Sequence, residues 1–201
     1  MNPQFRPYQP YADTLKVSDF LASTYPPTDR NPNWLRARWE YMITCLEDGE
    51  AAMAPFGVWE ADGKIVGLVN FEDGPGQAYF HVHPDHAYLK ADLLAHAEKA
   101  LYSIQEGKKR LILFINEFDD ELEALATSSG YEKLMDKPQI TARFDFARQS
   151  LDYTLPDGFR ITDRAENNDL RKINRVLWRG FNHPGPPPDK YIAGRADVER
   201  A

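Results

Sequence analysis

The chain has 201 residues, 42% of them hydrophobic, 12% aromatic and 27% charged, with a net charge of −7 and a pI near 5.3. This composition supports a packed core in one large domain, or in one domain and part of another, and excludes a disordered chain. The acidic balance argues against nucleic acid or an anionic membrane as partner, since both need local excess of Lys and Arg.

The N-terminus, Met1-Asn2-Pro3-Gln4-Phe5-Arg6, has no apolar signal core, and no stretch reaches membrane-spanning length. The single cysteine, Cys45, rules out an internal disulfide. A cytoplasmic, reducing setting and no membrane are therefore expected. Residues 5–10 read as a short strand and 12–23 as a helix with Leu15, Phe20 and Leu21 among its apolar positions. Tyr25-Pro26-Pro27-Thr28-Asp29-Arg30-Asn31-Pro32 breaks that helix. A second helix starts near Asn33, with Trp34, Trp39, Met42 and Leu46 close to helical spacing and Cys45 on its apolar side.

The clearest local signal follows. Phe56-Gly57-Val58-Trp59-Glu60 and Lys64-Ile65-Val66-Gly67-Leu68-Val69 flank Ala61-Asp62-Gly63, and an Asp-Gly pair between two β-rich runs predicts a hairpin. A third strand covers 78–83 and stops at Pro84-Asp85. Leu93, Leu94, Ala97, Leu101 and Ile104 form one apolar stripe, which predicts an amphipathic helix over 89–105, stopped by Gly107. Lys108-Lys109-Arg110 then reads as a solvated helix end. Arg110-Leu111-Ile112-Leu113-Phe114-Ile115 is continuously apolar after its arginine, the mark of a strand buried on both faces. Asp119 or Asp120 caps a further helix that Gly130 ends, and 131–134 and 140–146 read as strands. The fold class expected from this order is α/β, with a mixed, mostly antiparallel sheet and helices on both faces. After a linker over 147–153, the chain starts afresh with a strand near Gly158 and a helix over 169–181 with Leu170, Ile173, Val176 and Leu177 inward. A short strand with Phe-Arg (Phe5-Arg6, Phe159-Arg160), a helix and a proline-rich break thus occur twice.

Four stretches carry a resemblance: Gly57-Val58-Trp59-Glu60-Ala61-Asp62-Gly63-Lys64-Ile65-Val66-Gly67, Val82-His83-Pro84-Asp85, Leu93-Leu94-Ala95-His96-Ala97-Glu98-Lys99-Ala100-Leu101 and Gly130-Tyr131-Glu132-Lys133. In this order they resemble the GCN5-related N-acetyltransferase (GNAT) superfamily, particularly proteins with two such domains in tandem. The resemblance implies a GNAT-like domain over 1–150 and, over 151–201, a linker with the first strand and helix of a second, incomplete one. It implies acetyl-CoA as cosubstrate and an amine acceptor, a small molecule or a peptide N-terminus. In the family, the strand matching 78–83 bonds the pantetheine arm through its backbone. That makes Val82 and His83 the expected cofactor-binding residues, and Asn116 matches a further common position.

The family's next loop, Arg/Gln-x-x-Gly-x-Gly/Ala, wraps the pyrophosphate. Here Ala87-Tyr88-Leu89-Lys90-Ala91-Asp92 stands in its place, and no glycine occurs between His81 and Glu106. A phosphate cradle needs bare N–H groups close to the anion, and Asp92 sets a negative charge where phosphates would lie. The tyrosine that serves the family as general acid, four residues before the glycine matching Gly130, is Ala126. The expectation is a degenerate first domain with no catalytic residue and weak or no acetyl-CoA binding, the active repeat lying mostly beyond Ala201. The alternative is a non-catalytic domain on the same scaffold that binds a small ligand or a partner protein. Homodimerisation is one way for 158–181 to cover its apolar side.

Other clusters have plainer readings. His81 and His83 share a strand face, and with His86 or Asp85 they invite zinc. They fit better as an ordinary strand exit with His81 partly buried, so no metal is expected. Asp119, Asp120, Glu121 and Glu123 suit a helix first turn. Trp34, Trp39, Tyr41 and Trp59 read as core, Glu60 and Glu72 as solvated strand-end charges. Trp178, Phe181, Asn182 and His183 read as helix packing plus a loop.

Overall fold

The computed structural model describes residues 2–25, 33–46, 49–135, 138–140, 153–163 and 165–189. The chain divides into two compact units, Met1–Asp136 and Lys137–Ala201. The expected linker over 147–153 and final strand over 140–146 fall almost wholly outside the described residues, with Ile140 and Tyr153 irregular.

The first unit is built on a five-stranded mixed sheet. Its strands are β1 (Gln4–Pro7), β2 (Gly57–Ala61), β3 (Lys64–Asn70), β4 (Gln77–Val82) and β7 (Ile112–Phe114), in that spatial order. Neighbours are antiparallel except β4 and β7, which are parallel. Asp62 and Gly63, at φ of 50° and 76°, make the β2–β3 hairpin turn as the Asp-Gly pair predicts. Helices α1 (Thr14–Ser23) and α2 (Arg36–Cys45) cover the face that presents Leu68 and His81, while α3 (Lys90–Ala100) covers the other. The second face is marked by Gly57, where an added Cβ would meet the His96 ring of α3 at 2.9 Å. The mixed α/β architecture with helices on both faces is the one expected. Trp34, Trp39 and Trp59 are core residues; Tyr41, expected with them, is 69% exposed.

Several elements differ from expectation. α3 ends at Ala100, and the chain turns into a two-stranded hairpin, β5 (Ser103–Gln105) and β6 (Lys108–Arg110). Glu106 and Gly107 both take positive φ, 52° and 75° respectively, the geometry of a tight hairpin turn. Ile104 therefore faces solvent, and Lys108-Lys109-Arg110 is an exposed strand instead of a helix end. The run ending in Ile115 is not doubly buried: β7 is three residues long, and Ile112 is 48% exposed. Tyr131–Leu134 is irregular, because Gly130 at φ 89° turns the chain back so that the Tyr131 N–H bonds the Ala126 carbonyl. α4 (Asp120–Ser128) is capped by Asp119, whose carboxylate accepts the Leu122 N–H at 3.2 Å.

Gly76 joins these parts. Its N–H bonds the Leu101 carbonyl at the end of α3, and its carbonyl accepts the Ile112 N–H that opens β7. At φ 101°, an added Cβ would lie 2.5 Å from Ser103 Oγ. Gly76→Ala is expected to cost about 1–3 kcal/mol through strain and collision. Thermal unfolding checks this, and a wild-type midpoint would refute it.

In the second unit, α5 (Leu170–Gly180) is capped by Asp169, which accepts the Arg171 and Lys172 N–H groups. No strand forms near Gly158 among the described residues, so the apolar stripe has no sheet there to cover it. Val176 and Leu177, expected inward, are exposed, and Leu170 and Ile173 are half-buried. Trp178 folds onto its own helix end: its indole N–H bonds the Pro184 carbonyl at 3.1 Å and its ring lies 4.2 Å from that of His183. Phe181 and Asn182 are exposed.

Candidate functional site

The candidate site is the place where the sheet opens. β4 and β7 pair only through Gln77–Tyr79 and Ile112–Phe114, while β4 runs on to Val82. In an antiparallel ladder, successive residues direct their backbone groups alternately to either neighbour. The His83 N–H bonds Val66 of β3, so Val82 directs its N–H and carbonyl to the β7 side, past the end of that pairing. This edge would be free to bond an extended ligand.

It is already bonded. The Asn33 carboxamide lies on it: Oδ1 accepts the Val82 N–H at 3.0 Å, and Nδ2 donates to the Val82 carbonyl at 3.1 Å and to Thr24 Oγ1 at 3.0 Å. One side chain thereby reproduces the donor–acceptor pair of a neighbouring strand. Asn33 is buried, and its Val82 contact spans 49 residues of sequence.

The next residue fills the floor of the opening. The Trp34 ring lies 4.7 Å from Tyr79 and 5.1 Å from His81, and the Trp34 backbone N–H bonds His81 Nδ1 at 3.2 Å. Tyr79 in turn stacks on Phe114 at 4.4 Å with the planes 5° apart. His81 Nε2 faces Asn70 Oδ1 at 3.1 Å. Because Nδ1 accepts and Asn70 Oδ1 can only accept, the ring is neutral with its proton on Nε2. Burial, helped by the nearby Arg38 charge, pushes His81 down to about 3. The histidine expected to be partly buried is thus wholly enclosed and bonded through both nitrogens.

Arg38, on the first turn of α2, closes the group. Its guanidinium sits 4.4 Å over the Trp34 ring and 5.0 Å over Tyr79. Nε and Nη2 meet the two oxygens of Glu72 at 2.7 and 2.5 Å, and the Tyr79 hydroxyl donates to Glu72 at 3.2 Å. The Arg38 hydrogen bonds hold the Glu72 carboxyl below its ordinary range. Glu60 is likewise paired, with Arg6 at 2.6 Å. Arg6 also grips the buried Asp13, whose carboxylate accepts the Gln9 N–H as well. Neither glutamate is the solvated strand-end charge expected, because an arginine from a different segment reaches each. An open cavity of about 290 Å³ beside β1 is lined by Asn2, Gln4, Arg6, Glu60, Asp62 and Gly63, and its cation is held by Asp13 and Glu60.

The loop expected to replace a phosphate cradle is a short 3₁₀ turn, Pro84–Leu89, entered through His83, whose ring accepts the Asp85 N–H. Leu89 is buried, and Asp92 is exposed on the first turn of α3. Lys90 bonds Asp119 at 2.7 Å and Glu121 at 2.9 Å, tying the start of α3 to the start of α4. Burial alone would push the Lys90 ammonium down, but the two carboxylates more than offset it and raise it. Asn116 contributes its carbonyl to the Asp119 N–H in the turn before α4. Ala126 is buried in α4, and the nearby Tyr131 is pushed up to about 12 by burial and by Glu98. Among the described residues, no three His, Cys, Asp or Glu side chains are grouped to hold a metal ion. The side chain of Cys45 lies outside the described residues. Among the described residues no helix is long and apolar enough to cross a membrane.

Asn33 and Arg38 carried no role in the sequence reading. Asn33 reads only as the start of a helix; the partners of the two residues lie 49 and 34 residues away.

No protein-family model and no curated protein matches the chain. Among solved structures it is similar to the ribosomal-protein-alanine N-acetyltransferase from Brucella melitensis biovar Abortus 2308, at 22% identity over 71% of this chain and 99% of that one, with a TM-score of 0.42. A similarity of that size assigns neither an activity nor a residue role.

Proposed function

We propose that the first unit is an acetyltransferase-type scaffold whose acyl-CoA groove is filled by its own chain. It serves as the non-catalytic first domain of a tandem GNAT-type acyltransferase. The intact protein would transfer acetyl from acetyl-CoA to an amine, on a small molecule or a peptide N-terminus. Support comes from the resemblance read in the sequence and from the parallel β4–β7 pair that parts half-way along β4. The observation that carries the non-catalytic reading is the Asn33 carboxamide on the backbone of Val82. The glycine-free turn at Pro84–Leu89 adds to it, because a backbone carrying side chains cannot close around a diphosphate.

Calorimetry of the whole chain with CoA and with acetyl-CoA tests this. The expected result is no binding tighter than about 1 mM, a free energy of about −4 kcal/mol. A micromolar dissociation constant for either would overturn the reading.

A further inference from the structure

The groove is closed by residues that are nearly consecutive in the chain. Asn33 covers the edge of β4, Trp34 covers Tyr79 and His81, and Arg38 ties the segment to Glu72 in the β3–β4 turn. We infer that residues 33–38 act as a strap, a built-in stand-in for an extended ligand. The Arg38–Glu72 pair latches it, and its release uncovers the β4 edge for an extended, amide-bearing chain. This rests on the reading that the groove is self-filled and adds how that state is held and what would replace the filling.

The argument is one of exchange. The Asn33 carboxamide offers Val82 one acceptor and one donor on the same side, the pair that the two amides flanking one residue of an extended chain offer together. An incoming chain with two successive amides replaces those bonds one for one, so hydrogen bonding to Val82 does not decide which occupant stays. What favours the strap is its second attachment. Arg38 is held by two hydrogen bonds to Glu72 and by two aromatic faces, and it lies on the first turn of α2, directly after the segment that presents Asn33 and Trp34. An attachment through the same chain acts as a high effective concentration, which an external ligand must exceed. Weakening the latch therefore opens the edge without altering any atom that touches it. The extended amide could come from the pantetheine arm of CoA or from a peptide, and the two are separated by probe.

The first measurement is amide hydrogen exchange at Val82 in the wild-type chain and in Arg38→Met, which leaves Asn33 in place. The expected result is exchange at least tenfold faster in the variant, with Leu68 of the central strand β3 unchanged. Wild-type protection of Val82 in Arg38→Met would overturn the strap. The second is titration of Asn33→Ala and Arg38→Met with CoA and with a capped alanine tripeptide. At least tenfold tighter binding than wild type by either probe supports the exposed edge and names its source, while no gain with both overturns it. Near-ultraviolet dichroism establishes that each variant is folded; should Asn33→Ala fail, Arg38→Met carries both measurements. CoA binding to the wild-type chain would instead sink the proposed function, so the two failures are distinguishable.

Discussion

Lowering the pH from about 6.5 to 4.5 is expected to remove roughly 2–3 kcal/mol of folding stability, before the paired carboxylates begin to titrate. The source is His81. Its pKa falls from 6.5 in the unfolded chain to about 3 in the fold, so between those values the unfolded state binds the extra proton. Stability is fully present above 6.5 and is lost at about 1.4 kcal/mol per pH unit on the way down. A proton added to Nδ1 would face the Trp34 backbone N–H, setting donor against donor around a buried ring. Below about 4.5, Glu72 joins in, because its depressed pKa means that its contribution is lost as pH falls through the folded value. Chemical denaturation across this range gives the slope. In His81→Gln, which offers an acceptor and a donor but does not titrate, the upper part of the slope is expected to vanish. A flat profile for the wild-type chain would refute the buried, neutral histidine.

Trp39→Ala is expected to cost about 3–5 kcal/mol, a large part of the 5–15 kcal/mol available to a domain. Trp39 is fully buried, edge-on to Tyr8 at 5.7 Å and close to Phe56 at 6.4 Å, and its indole N–H reaches the Thr14 carbonyl. Alanine would leave a cavity between α1, α2 and the sheet that neighbouring aromatic rings cannot collapse to fill. Trp39→Phe, which keeps most of the volume, is expected to lose less than half as much. Urea unfolding measures both, and a loss under about 1 kcal/mol for the alanine variant would show that this part of the core is loosely packed.

These two residues show how unevenly the sequence speaks. Trp39 was legible as core from helical spacing alone, as were the Asp62-Gly63 turn, the Asp119 cap and the stripe of α3 up to Leu101. Each depends on neighbours within a few positions. Ile104 extended that stripe in periodicity but not in space. Glu106-Gly107 turned the chain into a hairpin, and Glu-Gly is a weaker turn signal than Asn-Gly or Asp-Gly. His81 and His83 looked alike at i, i+2, yet one is sealed under Trp34 and the other stands at the strand exit. Strand alternation predicts a shared face and says nothing of what covers it. For α5, spacing predicted an inward stripe, but a stripe is buried only where something lies opposite. Asn33 was the least legible of all. Nothing within a few positions of it hints that its carboxamide would stand in for a missing strand.

A sheet that parts half-way along a strand leaves a template on which foreign chains can grow into fibrils or aggregates. A single side-chain amide turned onto that template removes it, and at the opposite border Pro7 of β1 has no N–H to offer a newcomer. The bare half of β4 and the outer edge of β1 are thus each interrupted by a single residue, a colloidal safeguard built without added charge.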